Sequence, residues 1–165
     1  MGRVVSEDEL IEELERFRRT GTRTVVFTNG CFDLLHPGHV HSLEAARSLG
    51  DALVVAINTD RSVRHLKGPG RPLIPEQERA EVLAALEAVS WVVLFDDPTP
   101  LRLILRVAPE ILVKGADWPL EEVVGRAEVE ARGGRVVSIP LEPGYSTTAL
   151  IARIRQHHDD SSAGR

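Results

Sequence analysis

Cysteine is nearly absent: Cys31 stands alone among 165 residues. That excludes an internal disulfide and a cysteine-built metal cluster, and it suits a reducing, cytoplasmic setting. Lysine is almost as scarce, with Lys67 and Lys114 the only two, so arginine supplies nearly all of the 20 cationic residues. No apolar run approaches the ~20 residues needed to cross a bilayer, which leaves no membrane-spanning segment to expect. The N-terminus lacks the basic stretch and apolar core of a signal peptide. An excess of positive charge is missing as well. At a formal −5 the chain is no general nucleic-acid binder, since those carry a basic face. Any anionic ligand must therefore be held by a local arrangement of donors. What is present is an ordinary globular balance, 42% hydrophobic and 27% charged, enough for one domain with a real core.

The chain alternates strand-like and helix-like segments. Ser6 and Glu9 have capping-box spacing, and Leu10, Ile11, Leu14 and Phe17 follow at helical intervals, predicting a helix over 6–19. Apolar runs at 24–27, 52–57, 91–95, 111–113 and 135–139 read as five buried strands. Helices are expected over 38–49, from Pro75 onward, over 101–107 and 121–132, and from Ser146. Lys67 to Pro75, rich in glycine and proline, reads as a loop. The pattern implies an α/β fold: a single Rossmann-like, doubly wound, five-stranded parallel sheet with helices on both faces. Residues 1–22 form an N-terminal helical segment, 23–156 the domain, and 157–165 a polar, disordered tail. In such sheets ligands collect beyond the carboxyl ends of the strands, where strand order reverses.

The segment after the first expected strand is the most informative. His36 and His39 stand three residues apart, separated by Pro37-Gly38, where a loop enters a helix. Pro37 can begin a helix without wasting an amide donor, and Gly38 lets a ligand approach the backbone. The helix mouth presents unpaired N–H groups and a partial positive charge, which favour an anion. Residues three apart share a face, so both imidazoles can reach one phosphate. A histidine pair also suits zinc, but no third ligand follows at metal spacing. His41 points elsewhere, and His65, His157 and His158 read as solvated. Cys31 reads as a small packed side chain that lends its backbone amide.

The stretch Gly30-Cys31-Phe32-Asp33-Leu34-Leu35-His36-Pro37-Gly38-His39 resembles the H-x-G-H signature of the nucleotidyltransferase superfamily, in its cytidylyltransferase-like branch. Further matches follow in order: Asn58-Thr59-Asp60, Leu66-Lys67-Gly68, Gln77-Glu78-Arg79, Val113-Lys114-Gly115-Ala116-Asp117-Trp118 and Ser146-Thr147-Thr148. Together, over roughly residues 23–155, they are most similar to the heptose 1-phosphate adenylyltransferases. Those enzymes are often fused behind a sugar kinase domain; with so short a stretch before the first expected strand, no kinase activity is expected of this sequence. Related glycerol-3-phosphate cytidylyltransferases carry an arginine five residues before the Ser-Thr-Thr serine, where this chain has Leu141.

The resemblance implies in-line nucleotidyl transfer from ATP to a sugar 1-phosphate, with pyrophosphate leaving. It implies phosphate contacts and transition-state stabilisation by His36 and His39, and a cleft lined by the amides of Cys31 and Phe32 beside Gly38. Ser146, Thr147 and Thr148 would hold the β- and γ-phosphates, or serve as an ordinary helix cap. Lys67 would meet the sugar phosphate or close over the leaving group, its plainer alternative being a solvated lysine. Arg79 would bridge phosphates, or pair with a surface carboxylate. Asp33 would orient substrate, or stabilise a turn. Gly115 and Asp117 would meet the ribose, with Trp118 near the base. Mg²⁺ would be held by phosphate oxygens and water, with no protein side chains alone forming its site. A homodimer is expected. Two rival readings stay open: a CTP-dependent enzyme acting on glycerol 3-phosphate, and a non-catalytic nucleotide-binding module.

Overall fold

The computed structural model describes residues 1–115, 119–140 and 143–163, with side chains as far as His157. Six strands form the sheet: β1 (Arg3–Val5), β2 (Val25–Gly30), β3 (Ala52–Asn58), β4 (Trp91–Phe95), β5 (Ile111–Gly115) and β6 (Arg135–Ile139). Their order is β1-β4-β3-β2-β5-β6, and every pairing is parallel. The doubly wound parallel architecture is as expected, but the sheet has six strands rather than five. The added one, β1, is a three-residue edge strand, too short and too exposed to carry a hydrophobic signature. It pairs with β4 and ties the N-terminal segment into the sheet.

Seven α-helices cover the described sheet: α1 (Glu7–Arg19), α2 (Pro37–Arg47), α3 (Asp60–Lys67), α4 (Glu76–Ala85), α5 (Leu101–Val107), α6 (Arg126–Ala131) and α7 (Thr147–Ala163). The capping box forms as read: the Glu9 amide donates to Ser6 Oγ, and the Ser6 amide donates to the Glu9 carboxylate. Every residue of β3 is buried, as both faces of a central parallel strand require. Alternation then divides the core. Val54 and Ala56 join Phe27, Leu10, Leu14, Leu103 and Ile104 on one face, whereas Leu53, Val55 and Ile57 join Val26, Leu43 and Leu83 on the other. Each valine, leucine, isoleucine or phenylalanine among them contributes about 1.5–3 kcal/mol by leaving water.

Three local expectations change. The chain after β3 forms α3, capped by Thr59, so Lys67 ends a helix before the glycine-rich loop begins. The helix expected over 121–132 splits into a 3₁₀ turn, Leu120–Glu122, and α6. Gly125 between them adopts φ 89°, and a Cβ there would lie 2.8 Å from the Ile104 side chain. Helix α7 continues past His157 to Ala163, through the stretch read as a disordered tail. No described helix is long and apolar enough to cross a membrane.

Strand β2 is where the winding reverses, with β3 on one side and β5 on the other. The crevice that such a switch point creates opens beyond Gly30 and Gly115.

Candidate active site

The turn from β2 into α2 is unusual in its backbone. Phe32 (φ 49°) and Leu34 (φ 54°) both occupy the left-handed region, a conformation that costs of order 1–3 kcal/mol for a non-glycine residue. Asp33 between them supplies the compensation. Its buried carboxylate accepts from Arg71 Nε at 2.6 Å and from the amides of Leu73 and Ile74, at 2.9 and 3.0 Å. Burial alone would push this carboxyl up, but the two amides and the Arg71 guanidinium outweigh it and hold its pKa below the ordinary value. The backbone carbonyl of Asp33 accepts from Thr147 Oγ1 at 2.8 Å. One residue thus joins the β2–α2 turn, the 71–74 loop and the start of α7.

His36 is the N-cap of α2, Pro37 its first residue, and His39 sits in its first turn. The two imidazoles stack, with ring centroids 3.8 Å apart and planes 18° from parallel. Phe32 lies against His39 at 5.3 Å, and Tyr145 stacks beyond His36 at 6.2 Å. The Nδ1 atoms of both histidines are buried without a hydrogen-bond partner. Burial foremost, then the charges of His36 and Lys67, push His39 down to about 4. Burial lowers His36 too. At neutral pH His39 is uncharged, each imidazole able to offer one N–H and one lone pair. An orphaned, desolvated pair of this kind is poised for an incoming anion.

A cleft of about 230 Å³ brings together Cys31, Phe32, Asp33, His39, Lys67, Gly115 and Thr147, all of them expected there. Gly38 is buried at the helix mouth, where a Cβ would come within 2.9 Å of Tyr145 Cβ and 3.2 Å of the His36 ring. The two helix mouths therefore converge. At α7 the hydroxyls are partly engaged: Ser146 Oγ accepts the Ala149 amide, and Thr147 donates to Asp33. The Ala149 amide is thereby taken, which leaves the amides of Thr147 and Thr148 as the first-turn donors without an intrahelical acceptor.

Arg79 is placed differently from the expectation. It is 2% exposed, absent from the described lining of the cleft, and bonded to the carbonyls of Ile74, Cys31 and Asn58 and to the Asp60 carboxylate. Four of its five N–H donors are so engaged, and its carboxylate partner is Asp60. Asp117 and Trp118, expected at the ribose and base, and Leu141 lie outside the described residues. The sequence reading missed Asn29, whose buried Oδ1 has no partner, and Ser42, one turn beyond His39 on α2. The i, i+3 spacing from His39 was the available signal for Ser42; for Asn29 there was none beyond its place at a strand end. A second cavity, about 220 Å³, adjoins the first and shares Asn29 and Lys114 with it, Thr99 and Glu122 lining its far side.

The cytidylyltransferase-like family model matches residues 27–153, a span that contains both helix mouths. The chain belongs to the cytidylyltransferase-like family. As a member it is a nucleotidyltransferase, and its stacked histidines lie within the matched span. It is 56% identical over 151 residues to the bifunctional protein HldE of Rhodopseudomonas palustris, and 57% identical over 152 to that of Syntrophotalea carbinolica. Each match takes in 92% of this chain but 31% of the relative, so the chain spans about a third of their length. Among solved structures it resembles a lipopolysaccharide core biosynthesis protein from Thermoplasma volcanium (TM-score 0.60, 27% identity, 73% of this chain and 97% of that one). A pantoate–β-alanine ligase from Francisella tularensis shares the fold at 13% identity, with TM-score 0.57 over 87% of this chain and 69% of that one.

Proposed function

We propose that this nucleotidyltransferase transfers the adenylyl group of ATP to D-glycero-β-D-manno-heptose 1-phosphate, giving ADP-heptose and pyrophosphate. The observation that carries the reading is the convergence of the His36–His39 stack with the mouth of α7 across one cleft, tied by the Thr147–Asp33 hydrogen bond. The similarity to HldE and to a lipopolysaccharide core biosynthesis protein supports a sugar phosphate as acceptor.

In this reading the triphosphate lies in the cleft, and the sugar enters the adjoining cavity that shares Asn29 and Lys114. A phosphate oxygen of the sugar attacks the α-phosphorus in line, and the bond to the bridging oxygen of pyrophosphate breaks. The nucleophile arrives ionised, so no protein base is required. What remains is positioning and stabilisation of the charge that builds on the phosphates. His36 and His39 serve that charge from α2, the first-turn amides of α7 serve the β- and γ-phosphates, and Lys67 meets the acceptor phosphate or the leaving group.

The donor set fits Mg²⁺ held by phosphate oxygens and water. Asp33 is the one carboxylate among the described residues that line the first cleft, and its oxygens are already taken by Arg71, Leu73 and Ile74. The ion, when bound, neutralises charge on the departing pyrophosphate.

A pyrophosphate-release assay crossing ATP and CTP with heptose 1-phosphate and glycerol 3-phosphate tests the proposal. Turnover is expected with ATP and the heptose ester; turnover with CTP alone would overturn the choice of nucleotide. His39→Ala is expected to lower kcat by at least about a hundredfold with nucleotide binding largely kept, as when one charge-stabilising donor is lost. Unchanged turnover in that variant would assign the site to binding alone.

A further inference from the structure

Arg79 lies in the first half of α4, its side chain almost wholly enclosed. Nε donates to the Ile74 carbonyl at 2.9 Å, and one terminal nitrogen donates to the Cys31 carbonyl. The other donates to the Asn58 carbonyl at 2.9 Å and to Asp60 Oδ1 at 2.8 Å. These acceptors belong to three segments that meet at the ligand end of the sheet. Cys31 begins the turn that walls the cleft, Asn58 and Asp60 bracket the junction of β3 with α3, and Ile74 leads into α4. Helix α3 starts at Asp60 and ends at Lys67, so fixing its first residue fixes where the cleft-lining lysine lies. A guanidinium suits this task because its charge is permanent and its donors are rigidly splayed.

We propose that Arg79 is a positioning residue that holds the Lys67-bearing helix α3 at a set distance from the Cys31 wall of the cleft and touches no substrate. Its kinetic consequence rests on the nucleotidyl-transfer reading; its geometric consequence does not. Lys67 and His36 are the titratable groups that bear on His39, and of the two only Lys67 is carried by α3, so the His39 titration reports where Lys67 lies.

The test compares wild type with Asp60→Asn, Arg79→Lys and Lys67→Met in the full chain. Each is measured for Tm, for the His39 ring-proton titration by NMR without nucleotide, and for kcat and KM. Asp60→Asn keeps the side-chain size and leaves the bonds of Arg79 to Cys31 and Ile74, so it carries the test even where Arg79→Lys folds poorly. Asp60→Asn and Lys67→Met are each expected to raise the His39 pKa, and the double variant to raise it no further than Lys67→Met alone. kcat/KM should fall by up to about a hundredfold in Arg79→Lys, the loss expected for a group displaced by about 1 Å. A lower Tm in Asp60→Asn with a wild-type His39 titration would show that Arg79 only stabilises the fold, and an additive double variant would overturn the coupling. Should the wild type transfer no nucleotide to any acceptor, the functional reading fails while the NMR comparison still decides the role of Arg79.

Discussion

A polyanion entering the cleft must change the protonation of His39. In the free protein burial, His36 and Lys67 hold this imidazole at about 4. One phosphate charge about 4 Å from the ring contributes on the order of 4 kcal/mol at an effective dielectric near 20. That equals roughly three pKa units and would carry His39 from about 4 to about 7. At about pH 6.5 the protein would then take up on the order of 0.8 proton at His39 for each nucleotide bound. Calorimetric titration with a non-hydrolysable ATP analogue, repeated in buffers of different ionisation enthalpy, measures the protons exchanged. Comparing wild type with His39→Asn cancels the nucleotide's own protonation. Equal proton uptake by the two proteins, or a His39 ring resonance that stays neutral in the complex, would refute the electrostatic account of the site.

Other perturbations reach the scaffold beneath the cleft. Asp33→Asn removes a buried charge that faces Arg71 and should cost about 3–5 kcal/mol in a denaturant titration. Because the Asp33 pKa is depressed, its contribution is present above the unfolded value and is lost as pH falls through the folded one. Wild type and Asp33→Asn should therefore converge in stability in strong acid, and a constant gap would count against that cause. Gly38→Ala sets a methyl 2.9 Å from Tyr145 Cβ; accommodating it should weaken nucleotide binding by about tenfold, or roughly 1.4 kcal/mol, read as Kd. His39 itself makes the free protein sensitive to acid. With a folded pKa of about 4 against an unfolded value of about 6.5, stability should fall by roughly 3 kcal/mol as pH drops across that interval. His39→Asn should flatten this dependence.

The parts of the molecule that could be read from sequence are those whose cause is local. The buried strands β2 to β5 announce themselves as apolar runs because helices cover both faces of the sheet, and the half-buried edge strand β6 still shows its valines and Ile139. The capping box of α1 and the His36–His39 spacing are likewise contained within four residues. What escaped depends on partners far along the chain. β1 is a strand only because β4 lies beside it. Arg79 resembled a surface or phosphate-binding arginine until its partners were seen, and the Cys31 carbonyl that it meets is 48 residues away. The anchoring role of Asp33 rests on Arg71, Leu73 and Ile74, 38 to 41 residues distant. α3 was hidden for a different reason. Only Ser62 and Val63 of its eight residues are buried, so it lacks a wide apolar stripe, and its cap at Thr59 was the sole local sign.

An acidic protein that must hold a polyanion faces a conflict, and the cleft resolves it with charge that is conditional. A permanent cluster of lysines and arginines would need counter-charges in the empty state, and two arginines at the cleft wall do have them: Arg71 is paired with Asp33, and Arg79 with Asp60 and backbone carbonyls. The imidazoles need none. Stacked and desolvated, they stay neutral while the cleft is empty, and the ligand's own field would charge them once it arrives. Lys67 sharpens the effect, since its charge opposes protonation of His39 only until phosphates lie between or beside them. Charge would thus appear where and when the substrate brings its own. For this reason the pair would discriminate by ligand charge: a neutral nucleoside, which cannot raise the pKa of His39, should bind without proton uptake and far more weakly than its triphosphate.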